Sequence, residues 1–345
     1  MARMSGCRSV VGAGLLLFST GPAWADGGFF YPRYGFVTVP MQEALIVYDA
    51  ASHTQDLVLH VRFQGDTRDF AWIVPVPAVP ALESANVLLF QDCRELTSPV
   101  WREGSHGFAC SDDGSAIPMD ADGGVNIYDE QLVGIYRTLT LGADEAGPLA
   151  DSLEAWGYLH DANRAETEAA LQYYIDKSWS FVAMRIDSAA VEERDPYGYW
   201  WGYLQPIRLT FPTERIVYPM RISALSASEQ VSVTLYVCAQ HRMTFPGAEA
   251  EYANLLNARE LAEAKQRCDR LAPFLSENCF VTRLSGDLRA SDMTEDLAIV
   301  QAPDDREFIR INYSGMVDGG FLSCGLVAAA FLLKTWTRRG RQATR

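Results

Sequence analysis

Histidine and positive charge are scarce in this sequence. Five histidines (His53, His60, His106, His160 and His241) are scattered over 345 residues without metal-ligand spacing, and there is no H-E-x-x-H. No C-x-x-C occurs, which removes the spacing of a zinc ribbon or thiol-exchange site. A G-x-S-x-G elbow, a Walker loop and a regular βαβ alternation are also missing, so a doubly wound nucleotide fold is not expected. A serine–histidine–aspartate site assembled from distant residues stays open. Lys and Arg number 29 against 44 Asp and Glu, and within residues 26–333 all 44 acids face only 22 bases. That surface repels phosphate backbones, so nucleic acid is not an expected partner, and a solvated acidic exterior accounts for it. Internal repeats and low-complexity linkers are absent.

What is present is a globular composition, 48% hydrophobic with 26 Gly and 16 Pro, enough for one large or two ordinary domains. The ends carry the compartment signals. Arg3 and Arg8, the apolar run Val10–Phe18 and Ala23-Trp24-Ala25 read as a signal peptide over 1–25, cleaved before Asp26. Gly319–Leu333 carries no charge and is followed by Lys334, Trp336, Arg338, Arg339, Arg341 and Arg345. This predicts a single transmembrane helix over 315–336, a basic cytoplasmic tail over 337–345, and an exported domain over 26–314. A division of that domain near 142/143 is left open. Two rivals to the anchor are a C-terminal sorting tail processed during export and a buried soluble helix.

The chain is organised around Phe70–Pro80, FAWIVPVPAVP. Phe70, Trp72, Val74 and Val76 alternate to one side and Ala71 and Ile73 to the other, so both faces demand cover. Pro75 and Pro77 remove donors toward one edge only, which predicts a strand pairing fully on one side. Phe36–Val39, Glu43–Asp49 and Gln55–Phe63 read as strands, the last with Leu57, Leu59, Val61 and Phe63 facing one way and Val58, His60 and Arg62 the other. The turn Gly65-Asp66-Thr67 is expected to return Phe70–Pro80 antiparallel to it. Helices are predicted over Ala81–Leu96, over a hairpin Asp144–Leu159 and Ala162–Lys177, and over a long C-terminal Glu249–Ala272. Further strands are expected at Val133–Leu141, Trp179–Ile186, Leu204–Phe211, Arg215–Leu225, Val231–Gln240 and Cys279–Leu284. The class is α+β, mainly antiparallel sheets with a helical hairpin and one long C-terminal helix.

Five segments together, DGGFF (Asp26–Phe30), EALIVYD (Glu43–Asp49), FQGDTRDFAWIVPVP (Phe63–Pro77), LQPIRLTFP (Leu204–Pro212) and IVYPMRISAL (Ile216–Leu225), resemble the bacterial envelope family called domain of unknown function 2330. The resemblance runs from about Asp26 to about Tyr252. It implies export, frequently a terminal membrane segment, and no established activity. Many members place cysteines around GGFF; here Asp26 and Tyr31 flank it, so that family disulfide is absent.

Export makes disulfides expected among the cysteines that remain once Cys7 leaves with the signal. Local pairing suggests Cys93 with Cys110 and Cys268 with Cys279, leaving Cys238 as a buried apolar side chain or, alternatively, a reactive thiol near His241. The acidic loop Asp112-Asp113-Gly114 with Asp120, Asp122 and Asn126 fails the calcium-loop pattern and reads as a plain polar loop. Asn312-Tyr313-Ser314 is a glycosylation sequon of use only in a eukaryotic secretory route. The strongest compositional anomaly is Tyr197, Tyr199, Trp200, Trp201 and Tyr203 after Asp195-Pro196, expected at a hairpin tip. Such rings either contact a sugar or protein, or close one end of the core. No catalytic residue, metal ligand or cofactor is assigned. The sequence therefore favours an envelope-anchored, non-enzymatic binding or assembly domain whose partners are the membrane and an unidentified envelope protein or glycan. A secreted hydrolase built around His241 or His160 is the alternative.

Overall fold

A computed structural model of the chain describes residues 28–103, 131–141, 153–160, 163–186, 191, 193–226, 230–309 and 311–314. In chain order come β1 (Gly28–Phe30), β2 (Val37–Asp49), β3 (Thr54–Gly65), β4 (Ala71–Val76), β5 (Ala81–Ser84), α1 (Leu89–Leu96), β6 (Val100–Glu103), β7 (Gln131–Val133) and β8 (Tyr136–Leu141). There follow α2 (Arg164–Ile175), β9 (Ser180–Ile186), β10 (Trp200–Tyr203), β11 (Ile207–Pro212), β12 (Gln230–Ala239), β13 (Met243–Thr244) and β14 (Glu249–Leu256). The described chain ends with α3 (Ala258–Arg267), β15 (Cys279–Arg289), β16 (Val300–Gln301), β17 (Phe308–Ile309) and β18 (Ile311–Ser314).

Two large sheets pack face to face. The smaller runs β1-β4-β9-β8-β7; the larger runs β17-β14-β15-β12-β2-β3-β11-β5, with β10 on the same edge of β3 as β11. Pairing in both is antiparallel except for β12 against β2. Alternation sends Leu57, Leu59, Val61 and Phe63 of β3 and Val231, Val233, Leu235 and Val237 of β12 into the space between the sheets. Trp72, Val74 and Val76 of β4 meet them there, while Ala71 and Ile73 point away beneath Leu171 and Tyr174 of α2. The far face of the large sheet offers Leu45, Val58, Tyr236 and Cys238 to a cover made by α1 and α3. The order is thus helix, sheet, sheet, helix.

β4 behaves as its prolines require. It pairs with β9 over all six residues, but with β1 only at Ala71, Trp72 and Ile73, before Pro75.

The α+β expectation is overturned: the fold is predominantly β, and no described helix exceeds twelve residues. The predicted long helix Glu249–Ala272 is strand β14 followed by the ten-residue α3. Its N-terminal half finds ladder partners in β15 and β17, and this pairing outweighs the helix propensity of Glu, Ala and Leu. Asn257 then restarts the chain as a helix: its Oδ1 accepts from the Arg259 and Glu260 amides (3.0 and 3.1 Å), and the Glu260 carboxylate accepts from the Asn257 amide (3.3 Å). The helix predicted over Ala81–Leu96 divides likewise, with Ala81–Ser84 captured by β11 and Asn86 starting the turn into α1. Of the helical hairpin, the second arm forms as α2, whereas most of the first lies outside the described residues.

Arg215–Leu225 is not a strand. Gln55 holds Val217 as a ladder partner would, donating to its carbonyl at 2.7 Å and accepting from its amide at 2.8 Å, and a 3₁₀ turn follows at Ile222–Ser226. The turn after Gly65 does not return β4 onto β3. A Cβ at Gly65 would lie 2.4 Å from the Phe36 carbonyl oxygen, and Asp66 bonds back to Phe36, so β3 stays beside β2 and β4 crosses to the other sheet. Among the described residues no helix is long and apolar enough to cross a membrane. Residues 1–27 and 315–345, with the predicted leader and transmembrane helix, lie outside them.

Candidate functional site

Residues 193–203 form a hairpin against the end of β3. Asp195 builds its tip: Oδ1 accepts from the Tyr197 and Tyr199 amides (both 2.9 Å), and Oδ2 accepts from Gln64 Nε2 at 2.8 Å. Gly198 takes φ +89°, a conformation that favours glycine. Strand β10 then pairs Trp200 to Gly65 and Tyr203 to Arg62.

This arrangement brings the five predicted aromatic residues together but gives them different environments. Trp200 is held between two guanidinium groups, Arg194 at 4.0 Å and Arg68 at 4.5 Å, and packs on the central core. Trp201 lies under Arg62 at 5.0 Å. Tyr199 meets Phe36 edge-on at 5.3 Å. Tyr203 stacks on His60 at 4.5 Å, leaving one side in solvent, and Tyr197 is 87% exposed. Tyr34, in the loop before β2, is 92% exposed with Arg33 beside it. Both tryptophans are therefore half-buried supports; the rings offered to solvent are tyrosines.

Beneath Tyr203 lies a buried polar cluster. Glu43 of β2 accepts two bonds from Arg94 of α1 (both 2.7 Å) and faces His60 Nδ1 at 3.3 Å. Burial pushes the Glu43 carboxyl up, but the His60 and Arg94 bonds outweigh it and hold the group below the usual carboxylate range. His60 is sandwiched between Tyr203 and Phe90. The Tyr236 hydroxyl, buried nearby without a hydrogen-bond partner among the described residues, is pushed well up by burial and by Glu43. Alternation along β3 places His60 on this face; Glu43 and Arg94, 51 residues apart, give no sequence signal of their meeting.

The remaining histidines are dispersed. His241 pairs with Asp305 at 2.7 Å and His53 with Glu214 at 3.1 Å, both exposed, while His160 opens the turn into α2, its amide donating to Asn163 Oδ1 at 2.8 Å. The His241 bond holds Asp305 below its ordinary value. Two cavities, of about 320 Å³ between α1, β14 and α3 and about 440 Å³ beside α2, have no histidine in their linings. Among the described residues no three His, Cys, Asp or Glu groups converge as metal ligands. His106, the acidic loop and Cys110 lie outside the described residues.

Of the two predicted cysteine pairs, Cys268–Cys279 is not bridged in the structure, and Cys93–Cys110 includes a residue outside the described ones. Cys93, Cys238, Cys268 and Cys279 are all unbridged thiols of one core. Cys268 donates toward the Asp92 carbonyl (3.6 Å) and Cys279 toward the Phe280 carbonyl (3.8 Å).

Residues 24–300 match a family described as "Uncharacterized protein conserved in bacteria (DUF2330)". No curated protein matches the chain. Among solved structures, the crystal structure of baculovirus P35 is similar at 9% identity, over 67% of this chain and 78% of that one, with a TM-score of 0.33. So loose a likeness carries no argument.

Proposed function

The chain belongs to the DUF2330 family of uncharacterized bacterial proteins, and we propose that it is a non-enzymatic binding or assembly domain of the bacterial envelope. The proposed contact surface is the tyrosine-rich face of the 193–203 hairpin. One observation carries the reading: Trp200, clamped between Arg68 and Arg194, fixes the hairpin while Tyr197, Tyr199 and Tyr203 keep ring surface in solvent. Rings ordered before contact lose little freedom on binding, and a phenol offers both an apolar face and a hydrogen bond. The neighbouring guanidinium groups of Arg62, Arg68 and Arg194 add donors for the hydroxyls of a glycan or the carboxylates of a protein. Export to the envelope, retained there by the apolar run Gly319–Leu333, is part of the proposal and rests on the terminal sequence patterns.

The test is co-sedimentation of the purified protein with bacterial envelope fragments. Tyr197→Ala combined with Tyr199→Ala and Tyr203→Ala is expected to reduce the bound fraction about tenfold or more at unchanged folding. Equal binding by the triple variant refutes the surface. A mature N-terminus at Asp26 on protein recovered from the envelope supports export; an intact Met1 contradicts it.

A further inference from the structure

Four cysteines from four elements meet in the core between the large sheet and its helical cover: Cys93 on α1, Cys238 on β12, Cys268 at the end of α3 and Cys279 at the start of β15. They do not form a metal ligand set. Two of them are neighbours. In the antiparallel ladder Cys238 stands opposite Val281, which puts Cys279, two residues away, diagonally beside it on the same face. Both side chains lie in the same buried cluster, near enough for the two thiols to influence each other's charge. A diagonal pair must close up to reach disulfide geometry. Cys279 can supply that movement because it is the first residue of its strand, preceded by the exposed turn at Ser276–Asn278, where Asn278 adopts φ +60°.

We infer that Cys238 and Cys279 are a disulfide-forming pair linking β12 to β15, oxidised by thiol–disulfide exchange with a disulfide-bearing donor. The Cys279 thiolate attacks one sulfur of the donor disulfide and expels the other as a thiolate. Cys238, on losing its proton, then attacks the Cys279 sulfur of the mixed disulfide and releases the second donor thiolate. The protein loses two protons and two electrons, and the donor leaves as two thiols. The neighbouring Cys238 thiol, with donors from Ser276 and the Ala239 amide, holds Cys279 below the usual thiol range, while Cys279 and burial push Cys238 up. That split suits Cys279 to the first attack and Cys238 to the second. Cys93 and Cys268 stay as thiols, since the Cys268 sulfur points to the Asp92 carbonyl.

The pairing goes beyond the binding reading and depends on export only for the source of oxidant. The test has two arms, both using the full chain and both read by thiol mass-tagging under denaturing conditions with peptide mapping. In the first, purified protein is equilibrated with oxidised glutathione. The expected product is a Cys238–Cys279 cross-linked peptide, absent from Cys238→Ala, and a Tm roughly 5–10 °C above that of the reduced protein. No crosslink, or one joining Cys93 to Cys268 or Cys268 to Cys279 instead, overturns the inference without a variant having to fold. In the second arm the protein is recovered from its producing cells with thiols trapped. The same crosslink supports both the pair and export; a pair that closes in glutathione but is reduced in cells upholds the pair and sinks the export reading.

Discussion

Replacing Glu43 by glutamine probes the charged cluster that seats Tyr203. The carboxylate is almost wholly buried and accepts two 2.7 Å bonds from Arg94 with His60 at 3.3 Å. Glutamine preserves the shape but removes the charge, and its amide group can satisfy only part of the same set. Breaking a buried pair costs about 3–5 kcal/mol, but half-exposed Arg94 recovers hydration, so the loss should be about 2–3 kcal/mol. In a protein of this size that is a Tm decrease of roughly 3–5 °C. The pH dependence gives a sharper check. The folded Glu43 carboxyl is held below the usual carboxylate range by Arg94 and His60, against the upward push of burial. Its stabilisation is therefore complete above the unfolded pKa and disappears as pH falls through the folded value. Urea unfolding of wild type and Glu43→Gln from pH 7 to 3 should show a constant gap at neutral pH that narrows below about 4.5. A gap that is absent at pH 7, or unchanged down to pH 3, refutes the reasoning.

Trp72 is fully buried in the space between the sheets, stacked on Phe29 at 5.7 Å, and Trp72→Ala should cost about 3–5 kcal/mol, read as a lower urea midpoint. Gln55→Leu removes both bonds to Val217; about 2–4 kcal/mol should be lost, with hydrogen-exchange protection disappearing at the Val217 amide before the β2–β3 ladder opens. Tyr197→Ala touches almost nothing in the fold and should change stability by less than about 0.5 kcal/mol, so circular dichroism melts should superimpose on wild type.

Period-2 alternation made most of the sheet legible. The two faces of β3, the doubly buried β4 and its proline-limited edge follow directly from residue order. Helices were harder to read because their sequence signals are local and the strands' partners are not. Glu249–Leu256 contains good helix formers, yet β15 and β17 decide its conformation. Asn257 and Glu260, which cap α3, are the local signal that the prediction of one helix from Glu249 passed over. Val217 lies in a segment that reads as strand, but its ladder partner is the Gln55 side chain, which no pattern announces. The aromatic hairpin was visible as composition, including its tip. Which rings are supports and which are exposed depended on Arg62, Arg68 and Arg194, brought in from other parts of the chain. The Glu43–His60–Arg94 cluster and the Cys238–Cys279 neighbourhood arise from tertiary contact between distant segments, so neither has a spacing to detect.

A photo-reactive amino acid placed at position 197 in cells making the full-length protein tests the binding surface in its own setting. The account predicts adducts to an envelope protein or glycan from position 197, and none from exposed Asp176 beside α2. Irradiation that yields no adduct from 197, or the same adducts from both positions, contradicts it.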